Sequence, residues 1–220
     1  MTCRDLSEAV EEGAANLARE RATALLAEGV EAEEVLRFGL LDAMERVGQR
    51  FKTSEIFVPE VLLAARAMQA GLSVIEPRLR RNAIGSRGTL LLGTVEGDLH
   101  SLGKNLVRIF AKSAGFTVID LGVDVAPGVF LDAAKRHPEA TVVGMSALLT
   151  TTMPIMRTVI ERFEAEGLRS RFRFIVGGAP VSERYASEIG ADGFGPDAAT
   201  AADQLKAWAS EQRPTAGRGA

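Results

Sequence analysis

Thr89-Leu-Leu-Leu-Gly-Thr-Val95, followed at once by Glu96-Gly97-Asp98-Leu99-His100-Ser101-Leu102-Gly103-Lys104-Asn105, is where the chain changes rhythm. A short apolar run ends in a polar, glycine-bearing loop, and a helix-period segment follows near 103–114. Similar runs recur at 117–121, 141–145, 172–176 and, weakly, at 193–194, with helices expected near 127–137, 153–167, 181–189 and 197–210. Strand-helix alternation at this spacing predicts an α/β domain over 89–212, a doubly wound parallel five-stranded sheet of Rossmann or flavodoxin-like type. Such sheets bind ligands beyond the carboxyl ends of their strands, so chemistry is sought in the loops after each run.

Upstream of Thr89 the apolar residues recur at three and four instead, as in Val35, Leu36, Leu40, Leu41, Met44 and Val47, or Val61, Leu62, Ala65, Met68, Leu72 and Ile75. This predicts an all-α four-helix bundle over 1–82, with helices near 5–27, 31–51, 58–70 and 71–81. Gly29 separates the first two, and Pro59 sits where a helix begins without missing its N–H. Residues 83–88 read as a linker, and the tail 213–220 as disordered.

Composition narrows the function. The 220 residues carry 26 Lys+Arg against 29 Asp+Glu, a formal net charge of −3, with one Trp and one Tyr, so a nucleic-acid surface has little support. The start of the chain lacks the pattern of a secretory leader, the apolar runs are short for a membrane span, and the single Cys3 can form no intrachain disulfide. The expectation is a cytoplasmic protein with neither nucleic-acid nor membrane partners. The chain has two His and one Cys, which barely reaches the inventory of a protein-only zinc or non-haem iron site. If metal chemistry occurs, a prosthetic group supplies most of the ligands.

Three strand-end loops carry candidates. In the first, Asp98 and His100 are two apart and project to one side of an extended segment, where the carboxylate can fix the imidazole tautomer and leave the other nitrogen for a metal. Gly97 and Gly103 allow close backbone approach. A solvated turn is the plainer alternative. The second loop, Ser146-Ala147-Leu148-Leu149-Thr150-Thr151-Thr152-Met153, gathers hydroxyls at the sheet edge, or caps a helix at Thr151 or Thr152. In the third, Gly177-Gly178 lets a flat or phosphate-bearing ligand lie on bare backbone, or makes a tight turn. Neither a P-loop nor Gly-x-Gly-x-x-Gly is present.

The three loops in order, Asp98-x-His100-x-x-Gly103, Ser146-x-Leu148 and Gly177-Gly178, resemble the signature of the cobalamin-binding domain of methionine synthase and the corrinoid methyltransferase proteins. Val47-Gly48-x-x-Phe51 and Phe57-Val58-Pro59-Glu60, leading into Ala64-Ala65-Arg66-Ala67-Met68, resemble the cap domain of that family. Residues 190–198 are similar to its closing strand-loop-helix.

The resemblance implies cobalamin as cofactor, with the corrin ring providing the equatorial nitrogens of cobalt and His100 the axial one. It implies that Asp98 holds His100 and that Thr152 continues the relay, where the family often has serine. Gly97, Leu99, Ser101 and Gly103 would line the cofactor beside His100. The nucleotide tail would thread past Ser146, Thr150, Gly177, Gly178 and Ala198, with Leu148 a further cofactor-binding residue. Phe51 and Val58 match the cap residues over the methyl-bearing face, Val58 standing where leucine is familiar. The implied function is a corrinoid methyl carrier, a non-catalytic or co-catalytic subunit whose cobalt is methylated by a substrate-specific methyltransferase and demethylated by an acceptor methyltransferase using tetrahydrofolate or a thiol. A reductive activase would be a further partner. The motif Ala147-Leu-Leu-Thr-Thr-Thr-Met153 leans toward the methanol and methylamine proteins. A cobalamin-dependent sensor is the alternative, although residues 1–30 are short and acidic for a DNA-binding module; a mutase subunit or a flavin-binding domain would be others.

Overall fold

The structure, a computed structural model, describes residues 1–79 and 87–211. The tail and most of the predicted linker therefore lie outside the described residues. The chain divides into two compact units, residues 1–86 and 87–220.

The first unit is helical: α1 Cys3–Glu11, α2 Ala15–Ala27, α3 Ala32–Glu34 running through π turns at Val35–Leu41 into α4 Asp42–Lys52, and α5 Val58–Ile75 with a closing turn Glu76–Arg78. Two expected boundaries move. The predicted helix 5–27 breaks at Gly13, whose φ of +72° and close approach to Leu63, 2.6 Å from where a Cβ would stand, belong to a turn. The predicted break between 70 and 71 is absent, because Gly71 lies inside α5 where its bare Cα admits the Leu40 side chain. Glu60 accepts the Phe57 amide at 3.0 Å and helps start α5 behind Pro59. By length and composition, Val58–Arg78 is a helix that could cross a bilayer, with mean hydropathy 1.3. In the structure α5 buries Val61, Ala64, Ala67 and Ile75 on one side and carries Glu60 and Arg66, the one-sided burial of an amphipathic helix.

The second unit holds β1 Thr89–Val95, α6 Leu102–Ser113, β2 Thr117–Val125, α7 Pro127–Arg136, β3 Ala140–Ser146, α8 Met153–Ala165, β4 Arg173–Gly177, α9 Glu183–Glu188, β5 Gly193–Gly195 and α10 Ala198–Glu211. All strand pairs are parallel, in the order β2-β1-β3-β4-β5. Alternation along β1 sends Leu91 and Val95 toward Phe130, Val143, Met156 and Phe163, and sends Leu90 and Leu92 toward Ala111, Ile175, Leu205 and Trp208. Both faces are thus covered by helices, as a parallel sheet of apolar strands requires. The chain leaves β1 toward β2 on one side and reaches β3 on the other, so the switch point of the sheet lies at the carboxyl ends of β1 and β3.

Candidate functional site

At that switch point the loop after β1 and the loop after β3 are joined through one carboxylate. Asp98 is fully buried. Its Oδ1 accepts the His100 amide at 3.0 Å and lies 2.7 Å from His100 Nδ1. Its Oδ2 accepts the Leu148 amide at 2.6 Å, the Leu149 amide at 3.3 Å and the Thr152 hydroxyl at 3.2 Å. Burial by itself would raise the Asp98 pKa, but these donors, the His100 and Leu148 amides foremost, outweigh it and hold the pKa down to about 2. An ionised carboxylate can only accept, so Nδ1 carries the ring proton and the neutral tautomer has its lone pair at Nε2. The His100 side chain is 55% exposed, and among the described residues no hydrogen-bond partner is recorded for Nε2. Thr152 is itself buried, and its single proton is shared between Asp98 and the Leu149 carbonyl 2.9 Å away.

Around the imidazole the surface is apolar. Leu99 is 72% exposed, and Leu102, Leu148 and Leu149 are exposed as well. Large aliphatic side chains standing in solvent beside an oriented imidazole suit a flat hydrophobic ligand. Among the described residues no group of three or more His, Cys, Asp or Glu could hold a metal ion, so a metal here must bring its other ligands with it.

Further along the sheet edge, Ser146 ends β3, paired with Thr94 on β1 and Gly177 on β4. A Cβ on Gly177 would stand 2.7 Å from the Gly195 carbonyl oxygen. At Gly178, with φ +126°, a Cβ would stand 1.9 Å from the Ala147 carbonyl oxygen. The paired glycines therefore let neighbouring strand ends close on one another. A Cβ on Gly103 would meet nothing within 4 Å, so this glycine leaves open space in the first turn of α6. Ser101 precedes α6 and takes the Asn105 amide on its carbonyl at 2.8 Å. Thr150 lies exposed in the turn before α8, and Ala198 opens α10. Phe51 at the end of α4 and Val58 at the start of α5 are half-buried members of the helical unit.

Some polar supports were not foreseen from the sequence. The Thr94 hydroxyl donates to the His100 carbonyl at 3.0 Å. Asp124 accepts the Gly97 amide at 2.7 Å and donates its own amide to the Asp98 carbonyl at 3.0 Å. Both lie on strands, Asp124 beyond the predicted end of β2 at 121, and only the positions of the strand ends reveal them.

A parallel α/β unit with an Asp-held histidine at its switch point defines a class of cofactor-binding protein, and the comparisons name it. Residues 88–203 match a model described as B12 binding domain, and residues 2–76 match a second model of the same description. The chain belongs to the B12-binding family. It is 40% identical to trimethylamine corrinoid protein 1 of Methanosarcina mazei over 87% of this chain and 89% of that one. A crystal structure of a cobalamin-binding protein from Desulfitobacterium hafniense superposes with TM-score 0.79 at 32% identity, covering 94% of this chain and 98% of that one. The methanol:cobalamin methyltransferase complex from Methanosarcina barkeri contains a chain that superposes with TM-score 0.82 at 26% identity, covering 94% and 79%.

Proposed function

We propose that this protein is a corrinoid methyl carrier of a methylamine-type methyltransferase system, and that His100 is the axial ligand of its cofactor. The observation that carries the reading is a half-exposed imidazole whose Nδ1 is tied 2.7 Å from a buried carboxylate, in loops that also expose Leu99, Leu102, Leu148 and Leu149. That donor set, one imidazole with no further metal-ligating cluster among the described residues, fits a cobalt whose remaining ligands the cofactor would supply. Bound cobalamin would supply the cobalt that takes up and gives back the methyl group.

The chain's own residues then act on the ligand nitrogen. Asp98 orients the ring and fixes its tautomer, so that Nε2 is the nitrogen offered to the cofactor. Thr152 can turn its proton toward Asp98 or toward the Leu149 carbonyl, which adjusts the charge held on the carboxylate. Leu99, Leu102, Leu148 and Leu149 keep water from the ring face. We assign Gly97, Ser101 and Gly103 to the cofactor's surroundings beside His100, and Ser146, Thr150, Gly177, Gly178 and Ala198 to its nucleotide tail.

The partner of first rank is a substrate-specific methyltransferase, supported by the complex in which the Methanosarcina barkeri relative occurs. The likeness to a trimethylamine corrinoid protein favours a methylamine as donor. An acceptor methyltransferase and a reductive activase complete the proposed cycle. We place it in the cytoplasm, supported by the free Cys3. The relatives named above offer nothing for the sensor alternative.

The test is direct. The full chain purified with hydroxocobalamin should retain a corrinoid visible spectrum, and the methylated form should shift toward the base-free spectrum in His100→Ala. Loss of all corrinoid on gel filtration of the wild type would overturn the reading, and an unchanged His100→Ala spectrum would overturn the ligand assignment.

A further inference from the structure

The loop that carries His100 is tied down at both ends to one strand, and the tie is built at a cost. At its near end, Gly97 donates to Asp124 Oδ1 at 2.7 Å, and the Asp124 amide donates to the Asp98 carbonyl at 3.0 Å. At its far end Lys104, the third residue of α6, is 3% exposed and places its ammonium 2.6 and 2.7 Å from the two oxygens of Asp120. It also donates to Asn105 Oδ1 at 3.3 Å. Asp120 further accepts the Gly122 amide at 3.0 Å and has Arg108 at 3.6 Å. These partners hold the Asp120 carboxyl below its ordinary range against the opposing effect of burial.

Neither end is an economical way to stabilise a fold. A lysine in the first turn faces the positive end of the helix dipole, and burying an ion pair returns little net stability. Asp124 holds φ at +54°, a left-handed conformation that a side chain adopts at an energetic cost. Between the two aspartates, β2 slips twice against β1: Leu92 pairs with Asp120, Gly93 with Gly122 and Val95 with Val125. The two extra residues bend the end of this edge strand, as bulges beside functional sites do, and the bent segment bears both acceptors.

We propose that Lys104 and Asp124 are positioning residues, which grip the 97–104 loop from its two ends through the bulged end of β2 and so hold the His100 imidazole where its Nε2 can reach cobalt. The inference rests on the assignment of His100 as axial ligand. Asp98 sets the tautomer of the ring; Lys104 and Asp124 set where the whole loop stands. Loss of either grip leaves the cofactor bound by the rest of the sheet edge but lets the loop drift, so that the histidine-free form gains population.

The experiment uses the full chain grown with histidine labelled in heavy nitrogen, loaded with hydroxocobalamin and reduced to the paramagnetic cobalt state. The electron-spin spectrum then distinguishes a labelled histidine on cobalt from the cofactor's own base or from no base. In Lys104→Met and in Asp124→Gly, which keeps the left-handed backbone, the ratio of histidine-bound to histidine-free cofactor should fall about tenfold, the equivalent of about 1.4 kcal/mol. Asp124→Asn, which retains an acceptor, should recover most of it. Phe163→Leu, in the core away from the loop, should lower stability and leave the ratio unchanged. If Lys104→Met and Asp124→Gly load cobalamin and keep the wild-type ratio while His100→Ala loses the labelled splitting, the positioning role is wrong and the ligand assignment stands. If His100→Ala retains the labelled splitting, the ligand assignment itself has failed, and the inference with it. Should Lys104→Met not fold, Asp124→Gly decides alone.

Discussion

The chain has two histidines, and each sits two residues from a carboxylate that its Nδ1 approaches. His100 lies 2.7 Å from Asp98 and His137 lies 3.2 Å from Glu139. The local chemistry is nearly the same and the settings are opposite. His137 follows α7 and precedes β3, at the amino end of the sheet, and its partner Glu139 has 56% of its side chain exposed. The Glu139 carboxyl is held somewhat low, by its own backbone amide first and by His137 after it. Asp98 has no exposed surface and is fastened by amides and a hydroxyl from the loop after β3. A carboxylate in water can turn away from its histidine at almost no expense, whereas Asp98 is held rigidly and holds the ring in turn. A histidine two residues from a carboxylate is thus common surface chemistry until burial and a second element fix the pair in place.

The largest expected consequence separates the two histidines outright. His100→Ala should shift the visible spectrum of the loaded protein toward the base-free form and His137→Ala should leave it unchanged; equal effects would erase the distinction. Next come the carboxylates. Asp98→Ala strands buried donors and should cost about 3 kcal/mol in urea unfolding, while Glu139→Ala should produce no measurable change.

Acid should then expose the same asymmetry. The folded pKa of Asp98, about 2, lies below the ordinary value of 3.8, so its ionised form stabilises the native state above that ordinary value, and this contribution drains away as pH falls toward the folded pKa. The stability gap between wild type and Asp98→Ala, measured by urea midpoint, should therefore narrow on acidification from pH about 6 to pH about 3. A gap that stays constant would mean that the carboxylate is not held as described. The smallest effect belongs to the hydroxyl: Thr152→Val should cost about 1 kcal/mol, and Thr152→Ser should cost less.

Much of this was legible in the sequence because the signals are local. The alternation from Thr89 onward predicted every strand, and Asp98-x-His100 announced the pair, since both depend only on near neighbours along the chain. The helical unit was read less well at its joints. Gly13 and Gly71 are both small residues between helical stretches, and one ends a helix while the other continues it; what decides is the residue each packs against, Leu63 or Leu40. The end of β2 was missed for a related reason. Gly122 and Asp124 fall beyond the predicted end of the strand at 121, because a bulged edge strand breaks the alternation on which strand prediction relies.

By itself, then, the sequence determined the two units, the kinds of element in each and the residue types at the ligand edge, all properties of periodicity and of short spacings. The tertiary structure decided what those residues are worth. Only the order β2-β1-β3 sets Asp98 against amides 50 residues away on one side and against the bulge bearing Asp124 on the other. Strand order in a parallel sheet is set by crossovers through helices packed on its two faces, and no local pattern along the chain encodes it.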